Sequence, residues 1–201
     1  MWSSSRTRVG TRARTTQNQL AAALHTAQTE IKTTHGFNLY PYHSFRKDIN
    51  CDEVYRGIYI GNAVTAKNKN YLKMLGITHL LNAAEGTGLG FVNTDKYYYT
   101  NTEIKYLGLP LADVCSTNIS RYFYTAATFI DEAVSTGGKV FVHCMVGVSR
   151  SATCVLAYLM IKKGMTAEDA IRTVRKNRYV RPNDGFLQQL AQLDNELRAN
   201  Y

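Results

Sequence analysis

Nine residues constrain this chain more than any other stretch: His143-Cys144-Met145-Val146-Gly147-Val148-Ser149-Arg150-Ser151. The β-branched and aromatic run 139–142 before them reads as a buried strand. The apolar run 152–161 after them reads as a buried helix. A strand–loop–helix turn of this kind aims several backbone N–H groups at one spot, and the helix dipole adds positive potential there. Such a spot holds an anion, and it also stabilises a thiolate. Cys144 opens the loop, so its pKa is expected at roughly 3.5–7.5 against about 8.5 for a free thiol. Arg150 closes the loop, and its planar fork can hold two oxygens of a phosphate. Gly147 is expected to let the backbone approach that phosphate closely. Met145, Val146 and Val148 are neutral, so anion binding falls to the amides of 145–149 and to Arg150. Ser151 is placed to donate a hydrogen bond to the sulfur, or to cap the helix.

The pattern His-Cys-x5-Arg-Ser resembles the signature of the cysteine-dependent protein tyrosine phosphatases. Segments 76–85, 157–160 and 181–187 extend the resemblance to the small dual-specificity phosphatases of the VHR-like, atypical group, over about 52–198. The resemblance implies catalysis through a phosphocysteine on Cys144, with no metal or other cofactor. It implies that Asp113, in Leu109-Pro110-Leu111-Ala112-Asp113, is the general acid. Leu111-Ala112 stand where larger members of the superfamily carry Trp-Pro, and the only tryptophan is Trp2. It further implies that His143 orients the loop from behind.

The rest of the chain reads as strands alternating with helices, which implies a mostly parallel sheet of four to five strands with helices on both faces. The phosphate loop would lie at the carboxyl end of a central strand. Residues 54–61 read as a first strand or hairpin, and Asn62 caps a helix through Leu75 that stops at Gly76. Strands follow at 77–82 and 104–109, separated by a glycine-rich turn at 86–90. Its spacing is not that of a dinucleotide loop. Asn118 or Thr117 caps a helix from Ile119 to about Val134. Thr166 restarts a helix after Gly164. Pro182-Asn183-Asp184 opens the last helix, and Asn183 is expected to support the site from behind.

Three parts are expected: a basic flexible tail at 1–16, an amphipathic helix and linker at 17–45, and a catalytic domain at 46–201. Leu20, Leu24, Ala27 and Ile31 form the stripe of the helix, read over 17–34. The net charge is +9; residues 1–35 hold five basic residues against one acid, so the tail supplies +4 of it. The Arg/Ser-rich start also resembles a mitochondrial transit peptide; otherwise cytoplasm or nucleus is expected. Four cysteines without C-x-x-C spacing read as reduced thiols. No His/Cys spacing suits a metal, and no apolar run is long enough to cross a membrane.

Arg175, Arg178 and Arg181 read either as a basic rim of the site or as a solvated face. If the former, Arg178 holds a second phosphate or an acidic substrate residue. The substrates expected are phosphoproteins carrying phosphotyrosine or phosphoserine/threonine, with a mitogen-activated protein kinase among them only by family. A nucleic-acid partner is not expected, though the basic balance leaves a phosphatase of RNA 5′ ends as a rival. A phospho-binding pseudophosphatase is the non-enzyme rival. Oligomeric state is not legible.

Overall fold

A computed structural model of the chain describes residues 14–30 and 49–199. In chain order the elements are α1 (Gln17–Thr26), β1 (Cys51–Tyr55), β2 (Ile58–Gly61), α2 (Ala63–Lys67), α3 (Lys69–Leu75), β3 (His79–Asn82) and β4 (Lys105–Gly108). They continue with α4 (Phe123–Ser135), β5 (Val140–His143), α5 (Arg150–Lys163), α6 (Ala167–Asn177) and α7 (Asp184–Ala199). The five strands form one sheet in the order β1-β2-β5-β3-β4. Only the β1–β2 hairpin is antiparallel; β5 lies parallel between β2 and β3, and β4 is parallel to β3. The α/β fold with a mostly parallel sheet is thus as the sequence implies.

Alternation along the strands divides the core. Val140 and Val142 face the larger side with Ile58, Ile60 and Leu81, under α1, α4, α5, α6 and α7. Phe141 and Leu80 face the smaller side with Ala66, Leu72, Ile77 and Tyr99, under α2 and α3. Helices therefore cover both faces. The register sets Gly61, Asn82 and His143 side by side at the carboxyl ends of β2, β3 and β5, with Gly108 of β4 beside Asn82. Every loop that leaves this edge converges on one place.

Several boundaries differ from the sequence expectation. The first helix ends at Thr26, not near 34. Thr26 Oγ1 turns back onto the carbonyls of Ala22 and Ala23, and Ala27 is extended. Segment 27–30 then runs beside α6, where the Glu30 N–H donates to the Lys176 carbonyl. Ile31 and the aromatic linker at 36–45 lie outside the described residues. The last residues of the stretch read as tail, Thr15 and Thr16, are bonded to the fold. Thr16 caps α1 in a reciprocal box with Gln19, and Thr15 Oγ1 donates to the buried carboxylate of Asp194 at 2.5 Å.

The single helix expected over 62–75 is two helices. Asn62 caps the first as expected. Asn68 interrupts it, and its side chain accepts the Tyr71 N–H at 3.0 Å to start α3. Neither Thr117 nor Asn118 caps α4. A 3₁₀ turn over Ser120–Tyr122 precedes it, and Asn118 Oδ1 accepts from the Ser120 hydroxyl instead. No helix among the described residues is long and apolar enough to cross a membrane.

Candidate active site

Cys144 follows directly on β5, and α5 begins at Arg150, so the loop between them joins a buried strand to a buried helix. Its conformation is set from outside, by donors that collect its carbonyls. His143 Nδ1 donates to the Cys144 carbonyl at 3.2 Å, and the Ala63 N–H to that of Met145 at 3.1 Å. Arg178 donates from Nη2 to Val146 and from Nε to Gly147, the latter at 2.9 Å. The Arg181 N–H takes Val148 and the Thr153 hydroxyl takes Ser149, both at 2.9 Å. All six carbonyls of residues 144–149 are therefore engaged by the scaffold. In so tight a turn, outward carbonyls leave the amides facing inward, which makes a nest for an anion.

Cys144 is buried at the base of this nest. Its Sγ lies 3.4 Å from Ser151 Oγ and accepts the Gly147 N–H at 3.3 Å. Burial alone would raise the thiol pKa. Hydrogen bonds from the Ser151 hydroxyl and N–H, the Arg150 charge and the Gly147 N–H outweigh it and hold the pKa below its ordinary value. Burial pushes Cys51 and Cys154 up to about 12, helped by the Asp52 carboxylate in one case and by Cys144 in the other. All four cysteines are unpaired.

The fold gives Gly147 a further reason to be glycine. Its φ is +78, and a Cβ there would strike the Gly61 carbonyl at the end of β2 and come within 2.8 Å of Arg178 Nη2. The close approach is to the scaffold.

Arg150 returns to the loop as expected, with its side chain 5% exposed. Nη1 donates to the carbonyls of Gly90 at 2.9 Å and Leu111 at 3.0 Å. Nε is buried without a hydrogen-bond partner, 3.4 Å from Asp113 Oδ2. The Nη1 corner is thus committed, and the Nε edge is the side that can meet an anion. Neither carbonyl was singled out from the sequence. The glycine-rich turn that supplies Gly90 is held by Asn82. This buried side chain donates to the Val92 carbonyl and the Thr94 hydroxyl, at 3.1 and 3.2 Å, and accepts the Ala84 N–H.

Asp113 reaches the loop. Its Oδ1 accepts from the Ser149 hydroxyl at 2.7 Å and from Asn183 Nδ2 at 2.9 Å. Asn183 is doubly used, because its Oδ1 also accepts the Phe186 N–H at the start of α7. The loop after Asp113 rests on the same helix: the Cys115 carbonyl packs where Gly185 lacks a Cβ, and Gln189 Nε2 donates to Thr117. With Oδ1 taken by two donors, Oδ2, which lies 3.4 Å from Arg150 Nε, is the oxygen left to carry a proton.

His143 is fully buried and stacked on Phe141, with ring centroids 5.8 Å apart. Burial first, with the Lys67 and Arg150 charges, lowers its pKa to about 4 against the pull of the Cys144 carbonyl. It faces the loop backbone and has no access to the mouth.

Arg178 corrects an expectation. It is 5% exposed and lies under the loop, where it bonds two loop carbonyls, the Asp52 carboxylate at 2.6 Å and Asn50 Oδ1. The guanidinium is spent on the scaffold and not turned to the mouth, so the expected role of holding a second phosphate is not supported. Asn50 and Asp52, which complete this buttress, carried no signal in the sequence.

The description "Dual specificity phosphatase, catalytic domain" matches residues 58–196. Among solved structures, the chain is similar to the human tyrosine phosphatase-like serine/threonine/tyrosine-interacting protein, at 33% identity and a TM-score of 0.62, over 71% of this chain and 94% of that one. It is similar to a mouse putative dual specificity phosphatase complexed with zinc tungstate, at 27% identity and a TM-score of 0.65, over 75% and 89%. Human DUSP28, at 24% identity and a TM-score of 0.65 over 74% and 95%, shares the fold.

Proposed function

Since the chain belongs to the dual-specificity phosphatase family, we propose that it hydrolyses phosphotyrosine and phosphoserine/threonine in proteins through a phosphocysteine on Cys144. The observation that carries this reading is the loop itself. Its carbonyls are all tied outward around a sulfur whose pKa is held down. Inward amides and the Nε edge of Arg150 would take the phosphate oxygens and stabilise the charge of the transition state. Cys144 attacks phosphorus while Asp113, protonated on Oδ2, gives its proton to the departing oxygen. Water then attacks the phosphocysteine with Asp113 as base. The sulfur leaves as thiolate, met by the Ser151 hydroxyl and the Gly147 N–H.

A phospho-binding role would need only the nest; a cysteine at its base, with the Ser151 hydroxyl and the Gly147 N–H aimed at its sulfur, supports turnover. Kinetics on an aryl phosphate and on phosphopeptides test the reading. Cys144→Ser is expected to abolish turnover and to keep phosphate binding. Asp113→Asn is expected to slow phosphotyrosine hydrolysis about 10²–10⁴-fold and a highly activated aryl phosphate much less. Turnover by Cys144→Ser near the wild-type rate would end the covalent mechanism. Equal slowing of both leaving groups would remove Asp113 as the acid.

A further inference from the structure

Large apolar side chains exposed to solvent are concentrated around the loop. Nine are exposed among the described residues. Met145 and Val146 belong to the loop itself, at 37% and 61% exposure. Val64 follows Ala63, whose N–H holds the Met145 carbonyl. Leu89 is fully exposed and precedes Gly90, whose carbonyl holds Arg150. Val114 follows Asp113. Tyr179 follows Arg178, but the Arg175 guanidinium already covers its ring at 4.2 Å. Five side chains therefore stand uncovered on, or next to, residues that form or hold the loop and its arginine, contributed by three loops and the first turn of α2.

Charge at the same place is sparse, although the chain carries +9. Arg178 is spent under the loop, and Asp113 lies against Arg150. Of the other charged residues whose own groups, or whose neighbour's, bond the loop, Arg181 and Asp184 are exposed, and their signs oppose. An apolar ring with no net charge around an anion-binding nest selects by contact area.

We propose that Val64, Leu89, Val114, Met145 and Val146 form a specificity rim that prefers a phosphorylated residue flanked by apolar side chains over one flanked by acids or by a second phosphate. The proposal rests on the phosphatase reading above. It names the substrate class for that site. An apolar flank removes rim surface from water as the phosphate enters the nest. An acidic flank loses hydration there and meets the Asp184 carboxylate as well as the Arg181 guanidinium, so it gains no net attraction in return.

The test compares kcat/KM for phosphotyrosine peptides of one length whose neighbours are Leu/Val, Ser/Gly or Asp/Glu, with an aryl phosphate as reference. The apolar peptide is expected to exceed the acidic one by about tenfold or more. Leu89→Lys, a change at a fully exposed position, should invert or erase that ratio. Met74→Lys should not change it; Met74 is also exposed, but it lies in the last turn of α3, shortly before the amino-terminal end of β3, whereas the loop leaves the carboxyl end of β5. If the aryl phosphate is turned over but the ratio is near one, favours acids or ignores Leu89→Lys, the rim is wrong and the phosphatase reading stands. If neither the aryl phosphate nor any peptide is turned over, the phosphatase reading falls and the rim falls with it.

Discussion

At the scale of single residues, the site separates groups that line the anion nest from groups that hold them in place. His143 belongs to the second kind, and its burial has a consequence for stability. Its pKa is lowered to about 4 in the fold, against 6.5 when free. Between those values the unfolded chain binds the proton that the folded chain refuses, so stability rises with pH across that window. The contribution is complete above pH 6.5 and is lost as pH falls toward 4, to a total of about 3 kcal/mol. Urea unfolding from pH 7 to pH 4.5 should therefore show a steeper loss for the wild type than for His143→Gln, which has nothing to titrate. Parallel curves would mean that His143 does not carry this dependence. The sequence placed His143 beside the loop. Its neutral state follows from Phe141 and the sheet around it.

At the scale of elements, a flexible loop becomes a rigid receptor because four others clamp it: the end of β2, the start of α2, the end of α6 and the start of α5. Gly147 is where the clamp is tightest. A side chain there would need a backbone conformation that costs about 1–2 kcal/mol, and its Cβ would press on the Gly61 carbonyl. Gly147→Ala should therefore displace Met145–Val148 amides as a set and lower kcat/KM by about 100-fold or more, with a smaller loss of thermal stability. Near-wild-type turnover would show that the loop adapts. The β5–loop–α5 unit was legible because its signals are local. The buttress of Asn50, Asp52 and Arg178 was not, since its members are over 120 residues apart and join only when β1 packs on α6.

At the scale of the whole molecule, α1 belongs to the folded unit. Leu20, Ala23 and Leu24 are buried against α6 and α7, and the Arg175 Nε donates to the Leu24 carbonyl. Thr15 and Thr16 secure its start, through Asn195, Asp194 and Gln19. A chain beginning at Gln17 should accordingly be less stable than one beginning at Arg14, by about 1–3 kcal/mol in urea. Both should turn over an aryl phosphate alike at low temperature, because α1 does not reach the loop. Equal stability would mean that α1 holds without its cap.

The sequence alone determined the strand–loop–helix unit, the pairing of Cys144 with Arg150, and the alternation that makes a covered parallel sheet. These depend on spacing and on side-chain type within one stretch. Only the tertiary structure decided which carbonyls hold Arg150, which oxygen of Asp113 is held by Ser149 and Asn183 and which lies against Arg150, why position 147 must be glycine, and that Arg178 lies beneath the loop. Each of these is a contact between segments far apart in the chain. A long basic side chain reads the same in sequence whether it faces solvent or a buried carbonyl, and what surrounds it in the folded state decides between them.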